Sequence, residues 1–360
     1  MSTRPTVAIL YGGKSAEHDV SMQTAFSVIN AIDKEQYQVL PIHITNHGRW
    51  IEGHEVQGEL SHKSQLLLEE NQQGGFQNKW LTPAGIHGAQ SKPDIIFPLL
   101  HGPNGEDGTV QGFMELLDMA YVGSGVSGSA VAMDKVLMHD LFKAHGLKQA
   151  NYVHTTAYAW KHKSAAFIES VKGDVGFPCF VKPANYGSSI GISECADEAE
   201  LISAVQLALQ FDQKVIVEEK IDGREIEIGV IGNDELDVSV PGEIQTSGQF
   251  YDYQAKYEDG NSTLVIPADL SENVHQDLVN LAKRAFHILN AQGLARVDVF
   301  VRNDEIYINE INTMPGFTPY SMFPLLWDHT GVSYGELINR LLRYGLQRHQ
   351  SRQDIRHLIE

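Results

Sequence analysis

Cysteine is nearly absent: Cys179 and Cys195 are the two thiols in 360 residues. They have neither metal-ligand spacing nor enough partners for a disulfide framework, so they read as buried bystanders in a chain suited to a reducing compartment. Basic residues are scarce too. Lys and Arg number 27 against 46 Asp and Glu, a formal charge of −19. Such a chain repels phosphate backbones, so no nucleic-acid partner is expected, although a local pocket for a small anion needs only a few cations and backbone amides. No apolar run approaches the ~18 residues of a membrane span. The opening Met1–Thr6 has no basic segment ahead of a long apolar one. Neither a membrane partner nor a secretory leader is expected, and the expected location is cytoplasmic. The 16 histidines are scattered, without an HExxH pair, which disfavours a zinc enzyme. There is no internal repeat and no low-complexity segment.

The apolar content is ordinary, at 42% hydrophobic residues, which excludes disorder as the main state. The length fits two to three domains at ~150 residues each. The first third alternates strand and helix signals. Strands are expected at Val7–Leu10, Val39–Ile44 and Asp94–Leu100, and Val110, Phe113, Met114 and Leu117 recur at helical spacing. Strand, glycine-containing loop and helix in alternation imply an open α/β domain with parallel strands. Ligands then lie at the C-terminal strand ends, which brings loops 12–18 and 101–108 to a common site. Residues 52–92 lack periodicity and read as an insertion.

A second unit begins near Gly123. It has a helix from about Asp134 to His145 and a strand at Phe177–Pro183. Asp197 and Glu200 form a capping pair ahead of a face made by Leu201, Ala204, Val205 and Ala208, and a strand follows at Lys214–Glu219. From about Lys220 come the alternating Ile226, Ile228 and Val230, a helix near 273–289, strands at Arg296–Val301 and Glu305–Ile311, and a terminal helix from about Tyr334.

Three segments carry chemistry. In Val181-Lys182-Pro183-Ala184-Asn185-Tyr186-Gly187-Ser188-Ser189-Ile190-Gly191 a strand delivers a lysine to a loop of small residues. Backbone amides in such a loop can approach phosphate, with the lysine as a point charge. It is not a Walker A loop, and a plain surface turn is the competing reading. On the strand at 296–301 the valines take one face while Arg296 and Asp298 share the other. Glu310 and Asn312 share a face of the next strand. Asp298, Glu310 and Asn312 are oxygen donors of the type that hard cations accept. A two-residue turn at Asn303-Asp304 would, however, pair Asp298 with Asn309 and aim Glu310 away, so the metal reading requires a bulge or an odd-length loop. A surface hairpin with scattered charges stands beside it. Thr313 to Ser321 then forms a Pro-Gly loop that could aim an amide into the same place, and Arg296 plus an amide suits a developing oxyanion.

The chain resembles the D-alanine–D-alanine ligases of the ATP-grasp superfamily. The resemblance runs in order through Gly12–Ser21, His101–Gln111, Met133-Asp134-Lys135, Lys182–Gly191, Glu218–Glu225, Phe250–Tyr257, Arg296-Val297-Asp298 and Asn309–Ser321. It implies an N-terminal open parallel α/β domain (1–123) followed by a two-lobed ATP-grasp fold, with a central lobe (124–219) and a C-terminal lobe bearing lid and metal site (220–360). It further implies that ATP is met by Lys135, Lys182, Glu218, Glu219, Glu225, Tyr251 and Lys256. Two Mg²⁺ ions, for which Mn²⁺ could substitute, would sit on Asp298, Glu310 and Asn312. Glu17 would take the ammonium of a first D-alanine and His101 would line its site, although a structural role suits a lone histidine equally. Ser321 and Lys256 would take the carboxylate of a second D-alanine. Arg296 and the Gly316 amide would stabilise an oxyanion. Tyr257, Ser188 and Glu17 would form a hydrogen-bonded chain that closes a lid spanning about 246–263. The expected assembly is a homodimer. The rival readings are a ligase forming a D-alanine ester with a hydroxy acid, against which Lys256 and Tyr257 speak, and a catalytically silent nucleotide-binding protein.

Overall fold

A computed structural model describes residues 4–68, 92–187, 190–246 and 262–355. In chain order its first elements are β1 (Thr6–Gly12), α1 (His18–Ala31), β2 (Gln38–Ile44), β3 (Trp50–Glu52), β4 (Ile95–Leu99) and α2 (Thr109–Leu116). The strands form one sheet in the order β3-β2-β1-β4, with β1 parallel to both β2 and β4, and β3 antiparallel at the edge. Central β1 is apolar at consecutive positions because both of its faces are covered. Val7, Ile9 and Tyr11 pack against α1, and Ala8 and Leu10 pack against α2. The expected open parallel arrangement is therefore found. The 52–92 stretch is partly built into it, since Leu66 is buried and its carbonyl accepts the Tyr11 hydroxyl at 2.9 Å.

The next elements are α3 (Val126–Met133), α4 (Lys135–Ala144), β5 (Tyr152–Thr156), α5 (Ala157–Ser170), β6 (Cys179–Pro183), β7 (Ser193–Cys195), α6 (Glu198–Ala208) and β8 (Lys214–Glu219). Their strands make an antiparallel sheet ordered β5-β8-β6-β7. Asp134 caps α4 by accepting from Val136 N and Leu137 N, which sets Lys135 at the first helical position. Asp197 caps α6 through Glu200 N at 3.0 Å, and Glu200 returns a bond to Ala196 N at 2.8 Å. The apolar face at Leu201, Ala204, Val205 and Ala208 is buried as expected. Both cysteines are buried and free.

The third sheet is ordered β11-β10-β9-β12-β13, from β9 (Arg224–Gly232), β10 (Leu236–Thr246), β11 (Ser262–Val265), β12 (Gly293–Arg302) and β13 (Glu305–Asn312). Helix α7 (Glu272–Ile288) covers the face carrying Ile226, Ile228, Val297 and Val299. Two further helices, α8 (Met322–His329) and α9 (Tyr334–Gln353), close the chain. Leu337, Ile338, Leu341 and Leu342 of α9 join the same core as Val7 and Ile9. The end of the chain thus returns to its beginning. Arg348 secures the return: its buried guanidinium donates to the Gly123 and Tyr121 carbonyls and lies 3.8 Å from the Tyr121 ring centroid.

The hairpin β12–β13 settles the question of register. Asn303 and Asp304 both have left-handed φ, +52° and +63°, as a two-residue hairpin turn of the primed type requires. Pairing begins regularly with Arg302 opposite Glu305 and Val299 opposite Ile308, and then shifts, so that Asp298 lies opposite Glu310. Asn309 is the extra residue of a bulge. Ile308 and Ile311 are both buried, at 1% and 2% exposure. Residues three apart cannot share a face of a regular strand. The bulge lets both enter the core and turns Glu310 and Asn312 to the side of Asp298.

Candidate active site

The residues at the ends of these elements converge on a cavity of about 390 Å³, whose walls include Glu17, His101, Lys135, Arg296, Glu310 and Asn312, with Gly316 and Ser321. That size suits a small-molecule ligand. The two loops at the C-terminal ends of β1 and β4 meet, as expected. Ser15 Oγ donates to the His101 carbonyl at 2.8 Å. Ser21 donates to the Leu99 carbonyl and accepts from Gly12 N at 2.7 Å, tying α1 to both strand ends. Gly102 takes a left-handed φ of +74° that favours glycine at this junction, and a Cβ there would lie 2.5 Å from Glu17 Oε2 and displace that carboxylate.

The opposite wall comes from β12, β13 and β9. Arg296 Nε and Nη2 donate to the two oxygens of Asp298 at 2.7 Å each, a bidentate pair. Arg296 Nε also lies 3.0 Å from Glu227 Oε2. Burial alone would lower the guanidinium's affinity for its proton, but Asp298 and Glu227 hold it well above the ordinary value. Asn312 Nδ2 donates to Asp298 Oδ2 at 2.9 Å. Lys135 Nζ donates to the Tyr186 carbonyl at 3.1 Å and lies 3.3 Å from Glu310 Oε2, so α4 and β13 face each other across the cavity. Ser321 begins α8. Its Oγ accepts from Thr318 N at 3.1 Å, which folds the 313–321 loop back so that Gly316 lies beside it.

Lys182, at the end of β6, is 2.6 Å from Glu218 Oε2 on β8. Burial tends to lower the lysine's proton affinity, and Glu218, Glu310 and Glu225 together raise it overall. Burial pushes Glu218 up, but Lys182 and His139 hold it far below the usual carboxylate range. A depressed carboxylate contributes stability above its unfolded range and loses it as pH falls, so this pair favours the fold at neutral rather than strongly acidic pH. Glu219 stands apart: strand alternation turns it to Asn151, whose Nδ2 donates to it at 2.8 Å. Ser188, Tyr251, Lys256 and Tyr257, with most of the expected lid, lie outside the described residues.

Three acidic or basic groups escaped the sequence reading. Glu227 sits between the core residues Ile226 and Ile228 and opposite Asp298 in the ladder. Strand alternation was its signal. Glu106 lines the cavity and accepts from Gly102 N at 2.5 Å, with its carboxyl pushed well above the ordinary range by burial and by Glu17. It lay hidden among turn formers. His101 is lowered by burial, against the pull of Glu17 and the Met314 carbonyl. The third group, His139 of α4, is buried beside Glu218.

Among the described residues, no three Asp, Glu, His or Cys side chains are gathered as a ready metal cage. The donor set here is two carboxylates and a carboxamide. That fits Mg²⁺, which keeps few protein ligands and completes its shell with phosphate and water oxygens. The cavity thus has Lys135 facing Glu310 on one side and the Arg296–Asp298–Glu227 cluster on the other. The fold is of the ATP-grasp class.

The comparisons with known proteins narrow that class. Residues 6–124 match the family described as the D-ala D-ala ligase N-terminus, and residues 141–343 match the D-ala D-ala ligase C-terminus. The D-alanine–D-alanine ligase of Geobacillus thermodenitrificans is 52% identical over the full length of both chains. That of Geobacillus kaustophilus is 51% identical, covering 97% of this chain and 96% of its own. Among solved structures, the D-alanine-D-alanine ligase of Coxiella burnetii aligns with a TM-score of 0.79 at 31% identity, covering 97% of this chain and 96% of that one. The VanG D-Ala:D-Ser ligase of Enterococcus faecalis aligns at 0.81 and 31%, covering 95% and 100%. The chain belongs to the D-alanine–D-alanine ligase family.

Proposed function

We propose that this enzyme joins two D-alanine molecules into D-alanyl-D-alanine, with ATP converted to ADP and phosphate, and so supplies a peptidoglycan precursor in the cytoplasm. The observation that carries the reading is the convergence of Glu17, Lys135, Arg296, Glu310 and Ser321, from distant parts of the chain, on one cavity. The limits 1–123, 124–219 and 220–360 are proposed for the three lobes, and a homodimer for the assembly.

A carboxylate is a poor electrophile, so the carboxylate of the first D-alanine attacks the γ-phosphate of ATP and becomes an acyl phosphate. Two anions must meet, and Lys135, Lys182 and Arg296 offset the repulsion. Glu17 holds the ammonium of this first substrate, with His101 beside it. The amine of the second D-alanine, its carboxylate on Ser321 and Lys256, then attacks the activated carbonyl. Arg296 and the Gly316 amide stabilise the tetrahedral oxyanion, and phosphate leaves. Glu218, Glu225 and Tyr251 hold the nucleoside end; Glu219, whose side chain turns to Asn151, can join them only through its backbone. Mg²⁺, as two ions with Mn²⁺ as substitute, would be held by Asp298, Glu310 and Asn312 and would neutralise phosphate charge. The chain of Tyr257, Ser188 and Glu17 closes the lid.

Phosphate release from ATP tests the whole reading. It should be low without amino acid, rise with D-alanine alone, and yield D-alanyl-D-alanine as product. Release that requires D-lactate or D-serine beside D-alanine would reassign the second substrate. No release under any condition would contradict an active ligase.

Two variants test parts of the site. Lys182→Met should weaken ATP binding by about 1.5–3 kcal/mol, the loss of a charge-assisted contact, while D-alanine affinity stays near wild type. Titration calorimetry with each ligand separates the two, and unchanged nucleotide affinity would remove Lys182 from the site. Gly102→Ala places a methyl group against Glu17 at left-handed φ. It should cost about 1–2 kcal/mol of stability and raise the KM for D-alanine much more than that for ATP. Equal effects on the two KM values would show that Glu17 does not hold the amino acid.

A further inference from the structure

Helix α4 buries a histidine that the roles above leave unused. His139 is 1% exposed, stacked on Tyr152 of β5 with centroids 5.0 Å apart and edge-on to Phe142. Each ring nitrogen faces an oxygen. Nδ1 is 2.7 Å from Gln149 Oε1. The other end of that amide settles its orientation, because Gln149 Nε2 donates to the His139 carbonyl at 2.9 Å. Nε2 is 3.2 Å from Glu218 Oε1. A carboxamide oxygen and a carboxylate only accept hydrogen bonds, so both nitrogens must carry hydrogen for both bonds to form. The ring is then an imidazolium. Glu218 is shared between two cations, with Oε1 on His139 and Oε2 on Lys182.

We propose that His139 is a positioning residue of the nucleotide site: its imidazolium takes half of the Glu218 carboxylate and so leaves Lys182 charge free to receive a phosphate. The inference rests on the reading that Lys182 and Glu218 meet ATP. Glu218 thus meets Lys182 through one oxygen while His139 holds the other. Without the His139 donor both oxygens are left to Lys182, which Glu310 and Glu225 also face. The other groups around the ring do not replace His139 as that partner. Tyr152 is neutral and bonded through its hydroxyl to Asp140 at 2.5 Å. Lys143 Nζ lies over the Tyr152 ring, 5.9 Å from its centroid. Gln149 and Phe142 carry no charge. Gln149 holds the imidazole so that Nε2 keeps its aim at Glu218.

The test is ATP affinity by calorimetry on the full chain. His139→Leu should bind ATP about tenfold more weakly than wild type, the equivalent of about 1.4 kcal/mol, while its KM for D-alanine stays near wild type. His139→Lys, which keeps a cation beside Glu218, should hold ATP affinity near wild type, and it serves instead should the leucine variant melt early. Unchanged ATP affinity in His139→Leu, or a tenfold loss in His139→Lys, would overturn the proposal. Lys182→Met separates this failure from a deeper one. If that variant loses ATP affinity and His139→Leu does not, only the role of His139 falls. If neither loses affinity, the nucleotide reading of this corner falls as well.

Discussion

Glu310→Gln is expected to lower ligase turnover by on the order of 10²–10³ or more, the scale seen when one element of a charge-stabilising cluster is lost, and to leave the fold standing. The bulge at Asn309 turns Glu310 to the cavity side, where its carboxylate lies 3.3 Å from Lys135 and its side chain keeps 26% exposure. Glutamine has the same shape and can still accept from the lysine, so packing is preserved. The pair is partly solvated, and losing its charge should cost no more than about 1 kcal/mol of stability. What changes is the electrostatics. Glu310 helps to hold the proton on Lys182, and it is one of the two carboxylates proposed to hold Mg²⁺. Thermal melts should therefore nearly coincide while steady-state turnover collapses, and added Mg²⁺ should recover only part of it. A variant with wild-type turnover at ordinary Mg²⁺ would remove Glu310 from the chemistry.

The same bulge shows where the sequence could be read and where it could not. Val297, Val299 and Val301 alternate with Arg296 and Asp298, so that face of β12 was legible from period two alone. On β13 the apolar positions change parity between Ile308 and Ile311, and that change is the trace a bulge leaves. It is visible once both isoleucines are required to be buried, and one strand cannot supply that requirement. The parallel sheet was legible because β1 is apolar at consecutive positions. Helix α1 was not marked as an element, although Met22, Ala25, Val28 and Ile29 have helical spacing and are buried. Its start, at Glu17, makes no side-chain cap bond that would announce it. Strand β10 was hidden by Pro241-Gly242, which fall at a register shift. Among the site residues, Lys182 and Glu218 stood on neighbouring strands, but their 2.6 Å contact depends on β6 pairing with β8 rather than with a sequence neighbour. The cavity itself joins loops from both ends of the chain. Only tertiary packing, with α9 set against β1, brings those ends together.

Arg296→Met should produce the largest loss of stability and activity together. The guanidinium is clamped by both oxygens of Asp298 and lies against Glu227, and the side-chain exposures are 14%, 5% and 4% for Arg296, Asp298 and Glu227. Removing the cation leaves two carboxylates close together with little water. Breaking a buried pair from one side costs about 3–5 kcal/mol, because the remaining charge is stranded. The sign of the pH dependence follows. Stranded carboxylates favour the protonated form in the folded state, so their folded pKa rises above the unfolded value. The variant gains relative stability at acidic pH and loses it as pH rises through that raised value. Denaturant melts should therefore show a gap to wild type that is widest at neutral pH and narrows on acidification. Ligase turnover should fall by on the order of 10²–10³ from the lost oxyanion contact alone. Arg296→Lys should keep a charge but not the fork that grips Asp298, and so recover part of the stability and little of the activity. Adding Glu227→Gln to Arg296→Met separates the two duties. Relieving the repulsion should restore stability but little turnover, because in the proposed mechanism the Gly316 amide is then left alone with the developing oxyanion. If the double variant regained both, Arg296 would be a structural cation and the oxyanion would have to be stabilised by other groups in the cavity.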